Sequence, residues 1–157
     1  RDVAVTGVQT CALPIRPKDH NLAEMAAEYR AKFPAKPVLA SVGEPGWAYV
    51  CAGGSLPNLP PTTDPKLLAA IPRMIPWRAD ATKKSWLLRE PGKQLLIFAG
   101  GMADVDLSGE SGAFSVTQID MKTGQRKPQQ SRASAGGVVK LTTTDGPGVF
   151  WLQLIEP

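Results

Sequence analysis

From Ser85 to the C-terminus the apolar residues recur with a period of two, and that rhythm constrains the fold more than any other feature of the chain. Alternation sends successive side chains to opposite faces of an extended backbone. Six segments carry it: Trp86–Arg89, Gln94–Ala99, Ala103–Leu107, Gly112–Asp120, Val138–Thr142 and Gly148–Leu154. Between them stand Pro91-Gly92, Gly100-Gly101, Ser108–Ser111, Lys122-Thr123-Gly124 and Asp145-Gly146-Pro147, whose glycines, prolines and aspartates suit tight turns. Short strands with regular turn signals predict an antiparallel β-sandwich or barrel-like sheet over residues 81–157.

The N-terminal half has a different texture. Asn21 and Glu24 approximate a capping box, and Leu22, Met25, Ala26, Tyr29 and Phe33 follow at helical spacing, so a helix is predicted from Leu22 to Lys32, ended by Pro34. Pro37-Val38-Leu39-Ala40 is a short continuous apolar run and predicts a strand buried on both faces. Helix followed by buried strand is half of an α/β unit, assigned here to residues 16–52. A second apolar patch, Trp47–Cys51, leads into a stretch dense in glycine and proline, Gly53–Pro61, which has few backbone donors and reads as an extended strap. Thr63 or Asp64 then offers an N-cap, Pro65 a first helical residue, and Pro72 and Pro76 a stop, so the strap of residues 53–80 carries one short helix that clasps two domains.

Composition excludes several classes of function. No apolar run approaches the ~18–20 residues that cross a bilayer, so no membrane partner is expected. Lys122, Arg126, Lys127 and Arg132 lead the local charge behind the net +4, but no aromatic residues interleave them. A solvated hairpin accounts for them better than a nucleic-acid surface does. His20 is the only histidine, so neither a nucleophilic triad nor a histidine metal site can be assembled. Asp104-x-Asp106-x-Ser108-Gly109 matches the first half of a calcium loop, but its twelfth position is Ser115 where a bidentate Glu is required. Alternation instead turns Ala103, Val105 and Leu107 inward and the aspartates to solvent. No metal or cofactor is expected.

In the last strand Phe150, Leu152 and Leu154 share one face and Val149, Trp151 and Gln153 the other. The first set is wholly apolar and is predicted core, which leaves Trp151 on the outer face as either a packing surface for the preceding chain or a sugar-stacking platform. Trp47 and Trp86 are the companion candidates for those two roles.

Two resemblances bear on origin and function. Val5–Ile15, VTGVQTCALPI, resembles the conceptual translation of a sequencing-library adapter, and residues 1–4 its index flank. That implies that residues 1–15 are foreign to the fold, that the natural start is missing, and that Cys51 is the one cysteine to consider. The alternative is a short strand, since VAVTGVQT alternates.

The second resemblance rests on Trp86–Phe98, Val105–Leu107, Gly112–Val116, the Asp120-Met-Lys-Thr-Gly124 turn and Val149–Leu154. Together these resemble the C-terminal β-sandwich, sometimes labelled collagen-binding, that follows the catalytic barrel of bacterial glycoside-hydrolase-like proteins. Residues 27–47, AEYRAKFPAKPVLASVGEPGW, are similar to the last helix–strand unit of such a (β/α) barrel. The resemblance implies a secreted or periplasmic parent, a sandwich packed on the rest of the barrel, and polysaccharide as a possible partner. It makes Glu44 the catalytic candidate, although Glu44 is displaced past Ser41-Val42-Gly43 and followed by Pro45, where the pattern has the acid directly after the strand. The fragment itself is expected to be inactive, because a barrel site draws on several strands.

Overall fold

The computed structural model describes residues 22–39, 46–80 and 84–155, with only the backbone of 78–80 and 128–130. The adapter-like stretch, His20 and Glu44 lie outside the described residues.

Among the described residues eight strands form two antiparallel sheets. β1 (Ile75–Asp80), β2 (Ser85–Glu90), β3 (Gln94–Ala99), β8 (Gly148–Ile155), β5 (Ala113–Ile119) and β6 (Arg126–Ser134) lie side by side in that order. β4 (Met102–Asp106) and β7 (Val138–Thr142) form a separate two-stranded ribbon. The sandwich is therefore lopsided, six strands against two.

Alternation explains how the large sheet serves two cores. Leu87, Leu95, Ile97, Phe114, Phe150 and Leu152 face the ribbon, whose Ala103, Val105, Leu107 and Leu141 close that side. Their neighbours in sequence, Trp86, Leu88, Leu96, Phe98, Val149 and Trp151, face the opposite way into a second core. That core is completed by the N-terminal half: α1 (Leu22–Lys32), α2 (Trp47–Cys51) and α3 (Pro65–Ala70), which continues as a 3-10 turn over Ile71–Arg73.

Each helix has a local cause. α1 fully buries only Ala23 and Ala26, with Leu22 partly buried against the same core and Phe33 substantially exposed, so the helix is seated mainly on its small residues. Alanine lets the helix backbone approach closely, while Tyr29 and Phe33 pack on each other with ring centroids 4.9 Å apart. Arg30 ties α1 to the chain beyond it: its guanidinium donates to the carbonyls of Pro34, Lys36 and Gly53 and to Ser55 Oγ. In α3 the Asp64 side chain accepts from Lys66 N–H at 2.8 Å and Pro65 takes the first turn, as the capping signal predicts.

Three readings of the sequence need correction. Residues 37–39, the described part of the strand expected over Pro37–Ala40, are not in a strand. The Val38 carbonyl instead accepts from Ser55 N–H and from Tyr49 Oη–H, and its N–H reaches Ser55 Oγ, so its polar groups are satisfied without a neighbouring strand. The second is β1, which begins at Ile75, inside the stretch assigned to the strap. The third is β6, an added strand within the polar basic stretch. Both are edge strands interrupted by proline, Pro76 and Pro128, and both pairings shift register, at Pro76/Arg78 and at Thr117/Ile119. Proline and irregular pairing at an edge discourage further strand addition, and the same features hide the strand from pattern reading.

Candidate functional site

The predicted tryptophans converge. Trp47, Trp86 and Trp151 are 0%, 2% and 1% exposed and belong to one core between the large sheet and the N-terminal helices. Trp47 donates its indole N–H to the Met121 carbonyl at 2.9 Å, joining α2 to the β5–β6 turn. Trp86 packs on Phe98 with centroids 5.7 Å apart, and its indole nitrogen has no hydrogen-bond partner among the described residues.

Trp151 sits at the centre of a polar circuit. Its indole N–H donates to Gln94 Oε1 at 2.9 Å, and Gln94 Nε2 donates to Glu90 Oε2 at 2.6 Å. Glu90 also accepts from Lys93 Nζ at 3.0 Å and from Arg73 Nε at 3.3 Å. Over the Trp151 ring lies the Arg126 guanidinium, 4.4 Å from the centroid, a cation–π geometry. Arg126 is paired with Asp64 and donates to Gln153 Oε1 at 3.2 Å. The circuit thus fastens both ends of α3 to the sheet around one tryptophan. Strand register puts Gln94, Gln153 and Ser115 side by side across β3, β8 and β5.

Two carboxylates in this circuit titrate low. Hydrogen bonds from Gln94 and Lys93, then from Arg73, outweigh burial and hold Glu90 at about 2, against an ordinary value of 4.5. Burial alone would raise Asp64, but the Arg126 hydrogen bond, the Lys66 N–H and the Arg126 charge together bring it below its usual range. A folded pKa below the unfolded one adds stability that is complete above the unfolded value and lost as pH falls through the folded value. Urea melts across pH should therefore show a stability that declines from about 4.5 towards about 2, and Glu90→Gln should flatten that decline. A slope unchanged in Glu90→Gln would remove Glu90 from the account.

The β5–β6 turn is the other fastening. Asp120 Oδ1 accepts from the N–H groups of Lys122 and Thr123, both at 2.9 Å, and from Thr123 Oγ1 at 3.1 Å, which draws its carboxyl below the usual range. The turn so held receives Asp64 N–H on the Gly124 carbonyl at 3.0 Å and Thr62 Oγ1–H on the Thr123 carbonyl at 2.5 Å. Gly124 has φ +72 and Thr63 lies against it, so this position requires glycine.

The remaining candidates do not join this site. Asp106 Oδ1 accepts from Ser108 N–H at 2.9 Å, closing a turn, while Ala103, Val105 and Leu107 point inward as alternation predicts. Among the described residues no group of three His, Cys, Asp or Glu is arranged to hold a metal ion, and no helix is long and apolar enough to cross a membrane. Burial pushes the Cys51 thiol far above its ordinary range, so it is inert. The sequence placed Arg126 only within a basic stretch read as a solvated hairpin, and Gln94 and Glu90 carried no signal of a joint site.

No family model matches the chain, and no curated protein does. Among solved structures, 52% of the chain superposes on 21% of a glycoside hydrolase at 16% identity and a TM-score of 0.43. A second match covers 52% of the chain and 20% of a glycoside hydrolase family 5 protein from Bacteroides vulgatus, at 15% identity and a TM-score of 0.44. The chain thus spans about a fifth of the length of those proteins.

Proposed function

We propose that this chain is an accessory β-sandwich of a glycoside-hydrolase-like protein, whose Trp151 face packs on the chain before it and steadies it. The observation that carries this reading is the burial of Trp151, 1% exposed, beneath Arg126 and among residues of α2 and α3. A sugar platform needs an open indole face, and this indole is enclosed. Glu90 supports the same reading from chemistry. A general acid works with a raised pKa, whereas Glu90 is held ionised at about 2 by three donors, as suits an anchor. Glu44 remains the catalytic candidate of a parent barrel, a role proposed on its resemblance alone.

The alternative, an independent carbohydrate- or collagen-binding module, has one observation in its favour: Leu56, 83% exposed, together with Leu68 and Ile75, rims an apolar groove between the strap and β1. Affinity electrophoresis in gels containing soluble polysaccharides tests the choice. The packing reading expects unchanged mobility of the chain in every gel. Retardation in any of the gels that Leu56→Ala abolishes would overturn it.

A further inference from the structure

Residues 62–73 are attached to the sheet differently from the way the strands are attached to one another. Each strand is held by a ladder of backbone hydrogen bonds, but Pro65 and Pro72 remove donors from this segment. Among the described residues one backbone hydrogen bond runs from it to the sheet domain, Asp64 N–H to Gly124 O. Its apolar contribution to the core is limited to Leu67 and Ala70 from α3 and the partly buried Ile71. Beside it runs a groove of about 720 Å³, whose lining includes Pro60, Leu68, Ile71, Val50, Leu88 and Pro76. Its charged ties stand at its two ends, Asp64 to Arg126 of β6 and Arg73 to Glu90 of β2, and Thr62 adds neutral hydrogen bonds to Thr123 and Gln125 of the β5–β6 turn.

We infer that residues 62–73 form a latch that opens as a unit, separately from the sheet, with the Asp64–Arg126 and Arg73–Glu90 ion pairs as its fasteners. The groups around each fastener are few. Asp64 faces Arg126 and the N–H groups at the start of α3, and Glu90 faces Arg73, Lys93 and Gln94. Neutralising either carboxylate leaves cations without their partner and removes the charge pair at that end, so that at the Asp64 end only the neutral hydrogen bonds of Thr62 and the Asp64 N–H to the β5–β6 turn are left, while the β2–β3–β8–β5 ladders are untouched. Release at the Asp64 end also frees Arg126, which covers the Trp151 ring. The device answers to acid and to salt, since both fasteners are charge pairs with one partner partly open to solvent.

Hydrogen exchange followed by mass spectrometry on the full chain at neutral pH tests this, comparing the unaltered protein, Asp64→Asn and Glu90→Gln. The latch predicts protection lower by roughly tenfold or more over residues 65–74 in either variant, with β3 and β8 at unaltered levels. If Glu90→Gln fails to fold, Asp64→Asn and the unaltered chain near pH 3, corrected for intrinsic exchange, carry the same comparison. Equal loss of protection in the latch and in β3 and β8, or no loss in the latch, would overturn the inference.

Discussion

Trp151→Ala is expected to lower the unfolding free energy by about 3–5 kcal/mol, the usual cost of truncating a large aromatic in a packed core. Three features push towards the upper part of that range. The side chain is enclosed on both sides, by the sheet and by the N-terminal layer. Its removal strands Gln94 Oε1, which is buried, without its donor. It also takes the aromatic surface from beneath Arg126. A surface platform predicts otherwise, a change within about 0.5 kcal/mol. Urea denaturation of the two proteins separates the outcomes, and a loss that small would mean that the Trp151 face is not a core.

Gly124→Ala should be the second most damaging single change, at on the order of 2–4 kcal/mol, because two costs combine. The backbone at Gly124 has φ +72, where a side chain is strained, and a Cβ there would come 2.6 Å from Thr63 Cα, a backbone atom that cannot step aside without moving the strap. Gly92 supplies the control: its φ of +68 is similar, but nothing lies within 4 Å of its added Cβ, so Gly92→Ala should cost about 1–2 kcal/mol. Similar losses in the two variants would show that Thr63 does not rest on the β5–β6 turn.

Much of the fold was legible because its elements are locally consistent. α1, β3 and β7 have the boundaries that periodicity and turn residues predict, and alternation along β8 correctly separates Phe150 and Leu152 from Val149 and Trp151. The edge strands escaped because an edge tolerates what a central strand does not: Pro76 in β1, and Pro128 with a run of polar and basic residues in β6. Pro37–Ala40 misled for the opposite reason. An apolar run identifies burial, but a strand also needs a partner for its backbone, and Val38 spends its carbonyl on Ser55 and Tyr49.

The candidate site was legible only as a set of tryptophans and one turn. Asp64 carries a cap signal and Asp120–Gly124 a turn signal, and both have structural causes close by in sequence. The pairing of Asp64 with Arg126, and the stacking of Arg126 on Trp151, join residues 62 and 25 positions apart. That proximity exists only once β6 pairs with β5 and β5 with β8, so no window of the sequence contains it.

Enclosure of the Trp151 face of the sheet by the N-terminal half can be read from hydrogen exchange of the four indole N–H groups, resolved by nuclear magnetic resonance in the full chain. Enclosure predicts that the indole protons of Trp47 and Trp151, each hydrogen-bonded and 0% and 1% exposed, exchange slower than a free indole by on the order of a thousandfold or more. Exchange of the Trp151 indole at close to the free rate, in a chain whose β3 and β8 amides remain protected, would contradict it.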